Sequence, residues 1–393
     1  MILRPDYLAM MGDRLRHNPV VALLGPRQSG KTTLARQYAK GKPCEFIDLE
    51  SLGGVDRLQE PETALSPMRG LVVIDEVPRM PDLLRILRVL ADRDPLPARF
   101  LILGSASPHI VRGVSESLAG RVSFIDVTGF NLSEVGPEHA RRLWWRGGFP
   151  RAYTAGSDHV CSHWHEDFIR TVLERDLPAL GITIPATTLR RFWTMIAHYH
   201  GQKWSAAEIA RSLGTSEPTA RRYLDLLTGM FLVRQLPPWF ENVGKRQVKA
   251  PKVYVRDSGV LHACLRLDGW SALESHPKLG ASWEGFALEQ VLSLTGDRDA
   301  YFWSVHSGPE LDLLLLRGGR RLGFEFKYGD APELTKSMRT AMKDLKLDHL
   351  FVVYPGRQAL ALDAKAERLP VEHLPTRLKE IGIRLLAAGL DQT

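Results

Sequence analysis

The sequence predicts an α/β chain built around a parallel sheet, and three observations carry that expectation. The run Gly25-Pro26-Arg27-Gln28-Ser29-Gly30-Lys31-Thr32 has phosphate-loop spacing: Gly, four free positions, Gly, Lys, then Thr. Short apolar runs alternate with helical patterns from Pro19 to Val127, which implies a parallel sheet with helices on both faces. A second α/β pattern follows between Ser282 and Tyr354, in the order helix, three strands, helix, strand.

At 393 residues the chain has room for two or three domains, and the boundaries expected are 1–135, 136–258 and 259–393. A hydrophobic content of 44% and a charged content of 25% are ordinary for a soluble globular protein. No apolar run approaches the roughly 20 residues of a membrane span. The N-terminus lacks a charged-then-apolar signal pattern, so the expectation is a cytoplasmic protein with no membrane partner. Cys44, Cys161 and Cys264 are scattered, without metal or disulfide spacing, and read as reduced thiols.

The first strand is the apolar run Pro19–Leu24, and Thr33–Ala39 reads as the helix after the loop. Backbone N–H groups turn inward there around phosphate oxygens, and the helix dipole adds partial positive charge. Lys31 would reach the β- and γ-phosphates and the Thr32 hydroxyl would ligate Mg²⁺. Gly25, Pro26, Arg27, Gln28, Ser29, Gly30, Lys31, Thr32 and Thr33 are therefore the candidate nucleotide-binding set, with ATP and Mg²⁺ as the expected cofactors. Further strands are expected at Glu45–Leu49, Leu71–Glu76, Arg99–Ser105 and Val122–Val127, with a helix from Pro81 to Ala91. Asp75, at the end of the third strand, can hold the Mg²⁺ shell that Thr32 touches. Glu76 would then act as general base on the attacking water; an acidic helix cap is the alternative. Ser105, with Ser107 as substitute, would bond the γ-phosphate or that water. Arg121, after the helical segment Ser115–Gly120, sits where an arginine finger would reach a neighbouring subunit, unless it is simply a surface arginine.

Taken together, Gly25–Thr32, Val72–Glu76, Gly104-Ser105-Ala106-Ser107 and Ser117-Leu118-Ala119-Gly120-Arg121 resemble the AAA-type ATPases of archaea and bacteria. In that group the ATPase precedes a C-terminal region long classed as of unknown function. Arg146-Gly147-Gly148-Phe149-Pro150-Arg151 and Glu174-Arg175-Asp176-Leu177-Pro178 resemble its next signature segments, so the resemblance covers most of the chain. It implies an ATP-hydrolysing P-loop core with Lys31, Glu76, Ser105 and Arg121 as its catalytic residues.

Trp144–Leu180 reads as helical, broken at Gly147-Gly148 and Pro150, and as a lid or connector; Arg151 is a candidate second sensor. From Gly181 to Arg256 there are 12 Lys/Arg against 4 Asp/Glu, in a chain whose net charge is only +7. A basic middle between near-neutral ends suggests a nucleic-acid-facing segment, with a solvated basic face as the alternative. Ser205–Gly214 reads as a capped helix, Gly214–Glu217 as a turn, and Pro218 to Leu227 as a second helix with Ala220, Tyr223, Leu224 and Leu227 at helical spacing. That is a helix-turn-helix, and Leu232–Leu236 with Lys252–Val255 would make the strands of a wing. On DNA, Thr215, Ser216, Thr219, Arg221 and Arg222 would meet the groove or phosphates, while Lys245, Arg246 and Lys249 would track the backbone. A winged helix that docks protein is the alternative.

Ser282–Leu294 reads as a helix with Trp283, Phe286, Ala287 and Val291 on its apolar side and Glu284 beside them. Strands follow at Ala300–Val305, Glu310–Leu316 and Arg321–Lys327, then a helix Pro332–Leu345 and a strand His349–Tyr354. A two-residue turn at Gly318-Gly319 would set Arg317 opposite Arg320, Asp312 opposite Glu325 and Glu310 opposite Lys327. That element order, with Glu284, Asp312 and the Glu325-x-Lys327 pair, resembles the PD-(D/E)xK nuclease superfamily. The resemblance implies a divalent metal, typically Mg²⁺, on Asp312 and Glu325, a nucleophile positioned by Lys327, and help from Glu284. Members of that superfamily also keep the fold for DNA binding alone, and a structural salt-bridge cluster is the alternative.

The function expected is an oligomeric DNA-dependent ATPase, hexameric in preference to dimeric, acting on branched or ended DNA. An ATP-regulated, Mg²⁺-dependent endonuclease is the second reading. A nucleotide switch for protein partners is the third.

Overall fold

All six residues of strand β1 (Val20–Gly25) are buried, as a central parallel strand covered on both faces must be. In the computed structural model it lies among β2 (Cys44–Asp48), β3 (Gly70–Asp75), β4 (Ala98–Ser105) and β5 (Val122–Asp126), all parallel, in the order β2-β3-β4-β1-β5. The residues described are 2–105, 108–179, 181–182, 184–241, 248–306 and 308–383.

Side chains alternate across this sheet with the period of two that a strand dictates. Val20, Ala22 and Leu24 join Val72, Ile74, Phe100 and Ile102 in one apolar layer, covered by Leu83, Leu84, Leu87 and Leu90 of the helix Leu83–Ala91. Val21 and Leu23 join Val73 and Leu101 in the other, covered by Met11 and Leu15 of the helix Pro5–His17 and by Leu34 and Ala35 of the helix Lys31–Ala39. The expected five-stranded parallel sheet is present. Its strand order is new information: β4 lies between the strand that feeds the phosphate loop and the strand that carries Asp75.

These elements form one compact unit, residues up to Gly129 together with Gly229–Phe231; Phe130–Thr228 and the described residues from Leu232 to Ile383 form a second. The expected boundary after residue 258 falls inside the second unit. Within it, the helices Ala186–His198, Ala206–Leu213 and Glu217–Gly229 accompany a three-stranded antiparallel sheet of β6 (Gln202–Lys203), β7 (Val233–Leu236) and β8 (Lys252–Val255), in the order β6-β8-β7. Ser205 caps its helix by accepting a hydrogen bond from the Glu208 N–H. The wing-tip residues Lys245 and Arg246, like Ser107 in the first unit, lie outside the described residues.

The larger sheet of the second unit contains β9 (Ala300–Ser304), β10 (Glu310–Arg317), β11 (Arg320–Phe326), β12 (His349–Tyr354), β13 (Leu360–Asp363) and β14 (Ala366–Pro370), in the order β13-β14-β12-β11-β10-β9. Gly318 and Gly319 have φ of 57° and 75°, the left-handed pair that a tight hairpin turn requires. Arg317 pairs with Arg320 and the register runs on to Leu313 with Phe324, so the next pair outward is Asp312 with Glu325. The long helix is Leu279–Thr295, and the next is Lys336–Asp344. That second helix starts later than Pro332 because the Thr335 hydroxyl accepts the Met338 N–H at 3.2 Å and fixes the cap there.

Candidate functional site

The phosphate loop leaves β1 at Gly25, whose backbone is pressed against the sheet. A Cβ there would lie 2.0 Å from the Val127 carbonyl oxygen, so no other residue fits. The Leu34 N–H bonds the Gly30 C=O at 2.9 Å, so the helix Lys31–Ala39 opens directly off the end of the loop. Lys31 is only 6% exposed, and its ammonium donates to the loop's own carbonyls, Gly25 at 3.1 Å and Pro26 at 2.9 Å. Arg27 pairs with Glu50 at 2.7 Å.

The loop and the third strand meet at Thr32, whose Oγ1 donates to Asp75 Oδ2 at 2.6 Å. The other oxygen of Asp75 accepts the Glu76 N–H at 3.0 Å. Glu76 itself stands at φ 55°, a left-handed conformation rare for a carboxylate residue and typical of a functional position. Burial pushes the carboxyl pKa of both acids up; at Glu76 the charges of Lys31 and Arg27 pull against that rise.

Ser105 pairs in register with Gly25 across the β4–β1 boundary, which sets it beside the loop. Its hydroxyl is buried with no hydrogen-bond partner among the described residues, and so is that of Ser29. Buried hydroxyls without partners are costly, so both are groups that a bound phosphate or water would satisfy. An ammonium, a hydroxyl–carboxylate pair and two orphaned hydroxyls fit a nucleotide triphosphate with Mg²⁺. Thr32 and Asp75 would hold that ion, which when bound neutralises phosphate charge.

Arg4 was not legible as a site residue. It is 4% exposed, and its guanidinium donates to the carbonyls of Ser29 at 3.2 Å, Thr128 at 3.1 Å and Gly129 at 3.0 Å, bracing the loop from behind. Arg121, the expected finger, forms a two-pronged surface pair with Asp92, Nε to Oδ1 at 2.5 Å and Nη2 to Oδ2 at 2.8 Å.

In the second unit, Arg221 and Arg222 are exposed on the helix Glu217–Gly229, while Ala220, Tyr223, Leu224 and Leu227 are buried beneath it. Neither arginine is in an ion pair with any described residue. Ser216 and Thr219 bond each other at 2.8 Å at the start of that helix, Thr215 is half-buried, and Lys249 and Arg151 are exposed.

Glu284, Asp312, Glu325 and Lys327 come together as expected, with Lys327 Nζ 2.7 Å from Glu325 and 3.5 Å from Asp312. A residue not singled out joins them. Lys252 of β8 is 2% exposed, and its Nζ lies 3.2 Å from Glu284, 2.7 Å from Glu310 and 3.2 Å from Asp312. Glu310 therefore serves Lys252, and also Lys203 at 3.0 Å, rather than Lys327. Tyr254 donates to Glu284 at 2.7 Å. Burial and then the Asp312 charge raise Glu325 to about 8, and the same two causes raise Glu284. Burial opposes the Lys252 charge, but Glu284 and its neighbours outweigh it and hold that pKa above the usual lysine range. Among the described residues no group of three or more His, Cys, Asp or Glu is arranged to hold a metal ion. Nor is any described helix long and apolar enough to cross a membrane.

Three family models match the chain: an AAA domain over residues 17–136, and two domains of unknown function, DUF8612 over 137–271 and DUF4143 over 279–374. Two mycobacterial proteins are each 50% identical to it over 376 residues, which is 96% of this chain and 85% of theirs: "Uncharacterized protein Mb2031c" of Mycobacterium bovis and "Uncharacterized protein Rv2008c" of Mycobacterium tuberculosis. The Walker-type ATPase PABY2304 of Pyrococcus abyssi is 14% identical over 67% of this chain and 96% of its own, at a TM-score of 0.49, a likeness too slight to carry weight. The chain belongs to the family of the two mycobacterial proteins, and its first unit is an AAA-type P-loop ATPase domain.

Proposed function

We propose that the protein is a DNA-binding ATPase that works as a homo-oligomer, a hexamer in preference to a dimer, on branched or ended DNA. In the first unit, Lys31 leaves its loop carbonyls for the phosphates, and Ser29 and the loop N–H groups bind phosphate oxygens. Glu76 accepts the proton of the attacking water, a role suited by a pKa that burial has raised. Ser105 orients that water or the terminal phosphate. Arg121 exchanges Asp92 for the nucleotide of a neighbouring subunit, so hydrolysis depends on assembly.

The DNA reading rests on one observation above the others: two unpaired arginines, Arg221 and Arg222, stand exposed on the second helix of a helix-turn-helix arrangement. The succession of the helix Ala186–His198, β6, two helices and the β7–β8 pair supports the reading of a winged helix with a groove- or phosphate-facing role. The six-stranded sheet, with its helix, three strands, helix and strand, supports a nuclease-like fold used to grip DNA.

The test is fluorescence anisotropy of forked DNA at several salt concentrations. Arg221→Glu with Arg222→Glu should weaken binding about a hundredfold, whatever the DNA sequence, and lower the log–log salt slope by about 2. An unchanged affinity at low salt would remove the winged helix from the DNA path.

A further inference from the structure

Glu310, Asp312 and Glu325 of strands β10 and β11, with Glu284 of the helix Leu279–Thr295, form the acidic cluster where the resemblance to nucleases would seat a divalent ion. The structure assigns that seat to the chain's own Lys252: an internal ammonium closes the cluster, so it takes no divalent metal and cuts no DNA by a metal-dependent route. This inference concerns the cluster alone and goes beyond the DNA-binding reading.

The geometry is that of an ammonium and not of a metal. A lysine ammonium has three N–H donors, and Lys252 Nζ meets three carboxylates, Glu284, Glu310 and Asp312, at 2.7 to 3.2 Å. These are hydrogen-bond lengths, and a divalent ion would have to displace the ammonium to reach the same oxygens. Other donors reach the same carboxylates. Asp312 Oδ2 receives the Phe326 N–H at 3.1 Å and Lys327 at 3.5 Å, Glu325 receives Lys327 at 2.7 Å, and Glu284 receives Tyr254 at 2.7 Å. No carboxylate of the four is left without a donor.

Charge leads to the same conclusion. Lys203, Lys252 and Lys327 oppose the four acids, which brings the cluster within one charge of neutrality. A divalent ion entering beside Lys252 would bring like charges into contact in a space where Asp312 and Glu325 are 5% and 4% exposed. Lys252 cannot easily step aside. Its backbone is fixed in β8 between β6 and β7, paired with Lys203 on one side and Leu236 on the other. Fixed in that sheet, it ties the three-stranded sheet to the six-stranded one within the second unit, a task a diffusible metal would otherwise perform.

The probe is Mn²⁺ alone, followed by electron paramagnetic resonance in nucleotide-free full-length protein. Asp75→Asn is present throughout, to remove the first unit's own cation ligand. The parent protein should hold no Mn²⁺ at this cluster. Lys252→Met should bind one ion about a hundredfold more tightly, because an opposing charge has left an acidic site. If Lys252→Met folds only when Mn²⁺ is added, as read by circular dichroism, that too is the expected result, since the ion then replaces the ammonium. The inference is overturned if the parent binds Mn²⁺ and loses it on Asp312→Asn, or if Lys252→Met folds normally without metal and binds none.

Discussion

At the scale of single residues, the 2.6 Å bond between Thr32 and Asp75 is the contact that turns a phosphate cradle into a hydrolytic site. It brings the end of β3 to the start of the loop's helix, and Glu76 comes next in the chain with its carboxyl raised by burial. Removing the base while keeping the shape, by Glu76→Gln, should therefore lower ATP turnover by about 10²–10⁴ with nucleotide binding retained. Stopped-flow binding of a fluorescent ATP analogue alongside phosphate release separates the two; wild-type turnover in the variant would take the base role from Glu76. Lys31, Thr32, Asp75, Glu76 and Ser105 were legible because each sits at a fixed offset from a loop or a strand end. Arg4 and Lys252 were not. Both are buried cations whose partners are far away in sequence, Ser29 and Thr128 for one, Glu284 and Asp312 for the other. No local spacing encodes such pairings, and a buried charge is tolerated only where the fold supplies its counter-ions.

Among elements, strands with strong apolar runs and a hairpin with a Gly-Gly turn could be read directly. The Arg317–Arg320 register follows from the turn, and the pairs out to Leu313 with Phe324 follow by counting. Strand β6 is two residues long, too short for any alternation to show, yet it carries Lys203 and flanks β8. Parallel strand order was equally hidden, because nothing in the chain from Ala98 to Ser105 states that β4 inserts beside β1. Arg121 shows the same limit at the end of a helical segment. Its position suggests a finger, and the structure shows what it holds within the chain, the exposed carboxylate of Asp92. Such a surface pair is weak and exchangeable. Arg121→Ala is expected to bind ATP as the parent does and to lose turnover by about 10³ or more, the contribution an arginine finger makes. Turnover equal to that of the parent would mean the Asp92 pair is all that Arg121 does.

For the molecule as a whole, the two units differ in what holds them. The first is an apolar sandwich on both faces of one sheet, with few titratable groups inside. The second contains His165, His200 and His262, held neutral by burial at pKa values of about 3, about 3 and about 4. These lie below the ordinary value of 6.5, so an unfolded chain takes up protons that the fold refuses. Stability from this source is present above 6.5 and is lost as pH falls toward 4. Asp257 at about 6 and Glu325 at about 8 are shifted the other way and offset part of the loss. Thermal melts at about pH 7 and about pH 5 should thus show the second unit melting earlier in acid; a transition no lower at about pH 5 would mean that the raised carboxyls cancel what the histidines contribute.

If the protein is a DNA-dependent ATPase, hydrolysis in the first unit answers to DNA bound by the second. Steady-state phosphate release from the full-length protein, titrated with forked duplex at low salt, measures that link directly. The rate should rise several-fold with DNA and then saturate. A rate that stays flat across forked, four-way and blunt-ended DNA would contradict that reading.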